Sequence, residues 1–278
     1  MTRTRVLAAL VMAPLAIAAV LLLPTPWIAA LAAILFLGAL WEWYRLAEVD
    51  DSLARGVLLL ANLLLMVAVI WASAGDPGGS LVLLKLLCIV GLVWWCLALA
   101  WLRWARFGAS PSGLARSLKL AAGTAAVIPA WAALALIHAG EPNGHGWLLV
   151  ALMIVWAADS GAYFAGRRFG RRKLAPTISP NKTVEGLLGG LASGLTVALV
   201  GAALLGVSGP SLLEVAAIAT LTVLASVVGD LFESLLKRQA GVKDSGQVIP
   251  GHGGLLDRVD GVLAALPIFA IGQIWLGF

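Results

Sequence analysis

Two carboxylates and an amine, Asp230, Glu233 and Lys237, stand at i, i+3 and i+7 in the stretch Gly229-Asp230-Leu231-Phe232-Glu233-Ser234-Leu235-Leu236-Lys237-Arg238. That spacing puts all three on one face of a helix. They close a long apolar run, where an ionisable side chain is expensive and is usually tolerated facing a partner, a water-filled cavity or a bound cation. The negative end of the helix dipole also favours a cation here. Carboxylate oxygens suit a hard divalent ion, so a metal site is one reading of the pattern. The other is an internal ion pair of Glu233 or Asp230 with Lys237, and the spacing leaves both open.

Downstream lie Lys243-Asp244-Ser245-Gly246 and Ile249-Pro250-Gly251-His252-Gly253-Gly254-Leu255-Leu256-Asp257-Arg258-Val259-Asp260. Glycine at this density lets backbone N–H groups approach an anion closely, at the start of the last helix, whose positive dipole end faces the same way. A phosphate cradle is therefore expected around Gly253 and Gly254. Asp257 and Asp260 are again three apart, so Asp257 is expected to meet Asp230 across a helix pair and complete a metal site. His252 divides evenly between loop structure and phosphate contact. His138 and His145 fall toward the opposite face and carry no assignment.

A third segment, Ser179-Pro180-Asn181-Lys182-Thr183-Val184-Glu185-Gly186, follows Arg167, Arg168, Arg171, Arg172 and Lys173. Ser179 or Asn181 is expected to cap the next helix, with Lys182 and Thr183 donating to an anion at its N-terminus. Topology and anionic head groups account for most of the arginines. Asp159-Ser160-Gly161-Ala162-Tyr163 adds a carboxylate and hydroxyls. Carboxylates for a divalent cation beside lysines and glycine-rich backbone suit phosphate chemistry on a lipid.

The elements that must position these groups are membrane helices. Of 278 residues, 61% are hydrophobic and 12% charged, and the mean hydropathy is +0.98, far outside the soluble range. Runs long enough to span about 30 Å of hydrocarbon fall near 6–24, 27–44, 54–73, 81–102, 118–138, 147–166, 184–206, 212–236 and 260–277. This predicts an all-α polytopic integral membrane protein of about nine transmembrane helices, with eight as the fallback if the Pro24 and Pro26 break fails. The first run follows Arg3 and Arg5 like a signal peptide, but it leads straight into a second apolar segment and is read as an anchor. All of the 19 Lys and Arg except Lys85 fall in the N-terminal tail or the loops near 45–55, 103–119, 167–183 and 237–258, which predicts a cytoplasmic N-terminus. The net charge of +5 then reflects topology, and nucleic acid is excluded as a partner. Cys88 and Cys96 share one apolar run and read as small buried side chains. Trp27, Trp71, Trp101, Trp104 and Trp147 read as interfacial anchors.

Residues 1–138 carry few polar groups inside their spans and are expected to be scaffold-like, whereas 147–278 holds the catalytic helices and loops of one membrane domain. Gly186, Gly189, Gly190 and Gly194 are expected to permit close helix approach. Two other classes compete with a lipid enzyme. An ion-coupled transporter also buries charge, but near the midplane; a lipid kinase or other phosphotransferase would use the same side chains.

The run Ser234-x-x-Lys237-Arg238-x4-Lys243-Asp244-x-Gly246-x2-Ile249-Pro250-x-His252-Gly253-Gly254-x-x-Asp257-Arg258-x-Asp260 resembles, without a departure, the signature of phosphatidate cytidylyltransferases, the CDP-diacylglycerol synthases. The segments at 159–163 and 179–186 are similar to others of that family, so the resemblance covers roughly 156–261. It implies transfer of a cytidylyl group from CTP (or dCTP) to phosphatidic acid, giving CDP-diacylglycerol and pyrophosphate. Mg²⁺ is the implied cofactor, with room for a second cation such as K⁺, on the cytoplasmic face of the inner (plasma) membrane, in a homodimer. By position it implies metal binding by Asp230 and Asp257, with Asp260, Asp244 and Glu233 as possible further ligands. Lys237, Lys243 and His252 would act in catalysis. Asp159, Ser179, Lys182, Thr183, Glu185, Arg238, Gly253, Gly254 and Arg258 would contact the triphosphate or the lipid.

Overall fold

A computed structural model describes residues 14–74, 79–110, 112–246 and 253–277. Helix α1 covers 14–22 and α2 Thr25–Leu46; α3 (Ser52–Ala74), α4 (Gly79–Arg103), α5 (Gly113–His138) and α6 (Gly144–Phe169) follow. A two-stranded antiparallel hairpin, β1 (Lys173–Ala175) and β2 (Ser179–Thr183), leads into α7 (Val184–Leu204), then α8 (Ser211–Gln239) and α9 (Leu256–Leu276). Among the described residues eight helices, α2 to α9, are long and apolar enough to cross a membrane. The expected first span at 6–24 lies partly outside the described residues. The break after it is real: the chain leaves helix at Leu23, and Pro24 in extended conformation opens α2, where its missing N–H loses nothing. The hairpin was not anticipated, because the basic run before it reads only as a topological signal.

Small residues decide which helices touch. Along α6 and α7 a Cβ added to Gly189 would run into Ala165 Cβ and the Gly161 carbonyl, and one on Gly190 would lie 2.8 Å from Ala158 O. These are the close approaches expected of a glycine stripe. The α8–α9 crossing depends on Gly229, where an added Cβ would strike the Asp260 carbonyl and approach Ala264 Cβ to 3.0 Å. Asp230 and Asp260 are thereby brought side by side. Gly91 on α4 fits between the rings of Pro129 on α5 and Pro267 on α9. Trp94, Trp95 and Trp101 pack edge-on around Phe232, which also stacks on Trp43 at 5.8 Å. The core therefore continues from the N-terminal helices up to the residue beside Glu233. Of the tryptophans read as anchors, Trp27, Trp71 and Trp104 are exposed, but Trp101 and Trp147 are buried core residues. Cys88 is buried as expected, whereas Cys96 is exposed.

Candidate functional site

At about 1.5 Å per residue, the 29 residues of α8 reach roughly 43 Å, more than the hydrocarbon is thick. Asp230, Glu233 and Lys237 occupy about its last three turns, level with the start of α9 and the ends of α2 and α6. Asp230, Glu233 and Asp260 each offer a carboxylate oxygen, and these atoms lie within 4.8 Å of one another. Glu233 is 1% exposed. Its Oε1 has no hydrogen-bond partner among the described residues, and its Oε2 has the Lys237 ammonium at 2.5 Å. The ion pair left open by the spacing thus exists, yet it leaves one buried carboxylate oxygen without a hydrogen bond in a residue that stands beside two further acids. A buried oxygen in that state costs several kcal/mol unless something positive meets it. Hard oxygen donors, an excess of negative charge and an unsatisfied buried oxygen together fit a divalent cation held by Asp230, Glu233 and Asp260. Three such carboxylates would hold a hard divalent cation, which would supply positive charge for phosphate oxygens.

Asp257 does not stand with Asp230 as expected. Its Oδ1 receives Lys237 Nζ at 2.6 Å, while Oδ2 accepts from Ser245 N (3.1 Å), Ser245 Oγ (2.9 Å) and Gly254 N (2.8 Å). The spacing places Asp257 on the first turn of α9, but the chain before it folds back, and the acid is consumed tying that fold. Asp260, one turn further, faces α8 instead. Lys237 joins the two arrangements, its ammonium lying between Glu233 and Asp257.

A residue absent from the sequence reading completes this end of the bundle. Glu42 of α2 is 2% exposed and accepts from Ser245 Oγ (2.8 Å), Leu255 N (3.1 Å) and Leu256 N (2.9 Å). One turn on, Arg45 Nη2 donates to Ser245 O at 2.6 Å. Glycine is required where this carboxylate sits, because a Cβ on Gly246 or Gly254 would collide with it. Gly253 has φ +82°, the left-handed region glycine adopts without strain. The signal for Glu42 was available: it is the one carboxylate inside the apolar run 27–44, and an acid in such a run is a functional candidate by default.

The glycine-rich segment was expected to offer free amides to a phosphate. Among its described residues, the amides of Ser245, Gly254, Leu255 and Leu256 are instead taken by Asp257 and Glu42. Protein carboxylates occupy the cradle, because an amide buried beside two acids finds them before any ligand. His252 lies outside the described residues. Lys243 and Asp244 are exposed, and Asp244 is not in the acidic group. Arg258 is exposed, and Arg238 Nε makes a long 3.4 Å contact to Ile178 O.

On the other side of Asp230 a cavity of about 550 Å³ opens between α6, α7, α8 and the hairpin, lined by Asp159, Arg167, Asn181, Lys182 and Thr183 over an apolar floor including Leu187 and Val223. Lys182 Nζ is 2.5 Å from Asp230 Oδ2, on the wall shared with the metal-like group. The helix cap is Thr183, whose Oγ1 accepts from Gly186 N at 3.1 Å, and not Ser179 or Asn181; those belong to β2, which ends at Thr183. Thr183 is buried and committed to that bond. Glu185 accepts from Arg171 N (2.9 Å), Arg172 N (3.1 Å) and Arg172 Nε (3.2 Å), fastening the hairpin to α7. The structure thus brings Asp159, Lys182, Asp230, Glu233, Asp260, Lys237 and Asp257 into one region and leaves Ser179 and Glu185 in the hairpin framework beside it.

A phosphatidate cytidylyltransferase of Pseudomonas aeruginosa is 40% identical over 271 residues, 97% of this chain and 96% of that protein. One of Haemophilus influenzae is 40% identical over 294 residues, 97% of this chain and 98% of its own length. One of Brucella melitensis reaches 46% over 143 residues, about half of either chain. The model of the cytidylyltransferase family matches residues 3–274, and with relatives aligned end to end the chain belongs to that family.

Proposed function

We propose that the protein is a phosphatidate cytidylyltransferase that joins the cytidylyl group of CTP to phosphatidic acid, releasing pyrophosphate, at a Mg²⁺-dependent site on the cytoplasmic membrane face. The observation that carries this reading is the acidic group Asp230, Glu233 and Asp260, standing against the lysine-bearing wall of a cavity with an apolar floor. A lipid phosphate and a triphosphate both need cationic neutralisation, and only the lipid needs the apolar floor. Mg²⁺ held by Asp230, Glu233 and Asp260 would neutralise phosphate oxygens and align the reacting pair.

The side chains supply the rest. Lys182, on the cavity wall, is placed to bind a phosphate oxygen once Asp230 turns to the cation. Lys237, fixed between Glu233 and Asp257, holds positive charge where a leaving pyrophosphate develops negative charge. Asp257 sets the position of Lys237 and of the backbone before α9; it remains a candidate ligand through Oδ1. Asp159 extends the negative wall. An oxygen of the phosphatidate phosphate attacks the α-phosphorus of CTP, the bond to the β-phosphate oxygen breaks, and pyrophosphate leaves. Lys243, His252, Arg238 and Arg258 are assigned to substrate phosphates on the family likeness, with dCTP as an alternative donor, K⁺ as a second cation and a homodimer as the working unit.

The cytoplasmic side rests on the basic loops, which flank the same helix ends as the acidic group, and the inner (plasma) membrane is the location that follows. In this reading residues 1–278 are one membrane domain with chemistry in 147–278. A transporter would set its charges near mid-helix, whereas Glu233, Lys237, Asp257 and Asp260 stand toward the ends of α8 and α9. The test is incubation of purified protein with phosphatidic acid, Mg²⁺ and labelled CTP, then lipid extraction. Label should enter the lipid with the wild-type chain and not with Asp230→Asn or Asp257→Asn; label in the lipid with Asp230→Asn at the wild-type rate would remove the metal assignment.

A further inference from the structure

Glu42 comes from α2, yet among the described residues its carboxylate takes hydrogen bonds from Ser245 and from the first amides of α9, some 200 residues on. The helix needs such a partner. Its N-cap residue is Leu255, which has no side-chain acceptor, so the first amides of α9 would be orphaned inside the bundle. Glu42 satisfies two of them, and an anion there is also favoured by the helix dipole. The contact reaches the site in few steps. Glu42 and Arg45 hold Ser245 by its hydroxyl and its carbonyl. Ser245 holds Asp257 Oδ2 through its amide and hydroxyl, and Asp257 Oδ1 fixes Lys237, whose ammonium also meets Glu233. Ser245 Oγ stands within hydrogen-bond distance of both Glu42 Oε2 (2.8 Å) and Asp257 Oδ2 (2.9 Å), so one hydroxyl links the two acids.

We infer that Glu42 is a positioning residue for the transfer reaction, holding Ser245 and the start of α9 so that Asp257 presents Lys237 at the acidic group. It touches no described member of the acidic group directly. This rests on the reading of that group as a cytidylyltransferase site. Removing a partner that orients the groups of a metal site commonly lowers activity by about 10- to 100-fold.

The experiment compares Glu42→Gln with wild type in detergent-purified, monodisperse protein, by two measurements. Hydrogen exchange reads the hold without reference to activity: the Leu255 and Leu256 amides should exchange on the order of tenfold faster in Glu42→Gln, as expected for a lost charged hydrogen bond, with α6 unchanged. Turnover per folded molecule should fall by about 10- to 100-fold, in kcat and not in KM for CTP. Unchanged exchange overturns the inference, and so does faster exchange with turnover within about twofold of wild type, which is all that a purely architectural clamp would give. If Glu42→Gln does not accumulate, Ser245→Ala removes the shared hydroxyl and keeps both Glu42 amide bonds; the same kcat loss is expected, and wild-type turnover overturns the inference. A wild-type protein that transfers no label would defeat the cytidylyltransferase reading instead, and exchange would still decide whether Glu42 holds the segment.

Discussion

Replacing Gly229 by alanine puts one methyl group between α8 and α9 where the acidic group is assembled. The new Cβ would overlap the Asp260 carbonyl oxygen and stand 3.0 Å from Ala264 Cβ and 3.2 Å from Asp260 C, against about 3.5–4.0 Å for relaxed carbon contacts. Backbone cannot swing aside as a side chain does, so the helices must part by on the order of 1 Å. Overpacking of this kind costs about 1–3 kcal/mol, which a multi-helix bundle survives. The acidic group does not scale so gently. Its carboxylate oxygens lie within 4.8 Å of one another, and a Mg²⁺ ion held there would demand near-ideal contacts of about 2.0–2.1 Å. A displacement of about 1 Å therefore predicts roughly 100-fold lower kcat/KM and a higher Mg²⁺ concentration for half-activation. Gly261→Ala is the matched control on the same helix pair, because its Cβ would meet Ser226 Cβ at 3.3 Å and Val155 Cγ1 at 3.4 Å, a clash that small shifts relieve. The assay is a Mg²⁺ titration of label transfer into lipid for both variants. Equal effects of the two, or wild-type kinetics in Gly229→Ala, would refute the argument that this crossing sets the metal geometry.

Lys237→Met should lower thermal stability by about 3–5 kcal/mol in EDTA, since Glu233 and Asp257 lose their shared cation, and added Mg²⁺ should recover more of the unfolding temperature than in wild type; differential scanning fluorimetry reads both. Lys182→Ala should fold normally, its side chain being a quarter exposed, and lose at least about 100-fold in turnover, measured by label transfer with protein matched by size exclusion. Glu185→Gln should cost about 1–2 kcal/mol of stability from weakened hairpin bonds while leaving KM for CTP within a few-fold, because both its oxygens already serve backbone and Arg172; kinetics beside thermal unfolding separates these effects.

The features legible in the sequence were those set by local spacing. Apolar runs foretold the helices, the glycines of α7 foretold a close helix approach without naming its partner, and the i, i+3 acids of α8 foretold a shared face. What stayed hidden was set by chain reversal or distance. Asp257 was matched to Asp230 by symmetry of spacing, but the segment before α9 turns back and claims its carboxylate. Thr183 caps α7 because β2 runs on to it, and no propensity foretold a strand over Ser179–Thr183. Glu42 lay in a run read as scaffold, and its partners 203 to 214 residues away follow from packing of α2 against α9 that no local pattern encodes.

The central claim, nucleotidyl transfer at this acidic group, is tested most directly by following two positions of the label in CTP with phosphatidic acid and Mg²⁺. With α-³²P CTP the phospholipid should become radioactive, and with γ-³²P CTP the pyrophosphate should be radioactive and the lipid unlabelled. Label in the lipid from the γ position would mean phosphoryl transfer and would contradict the account.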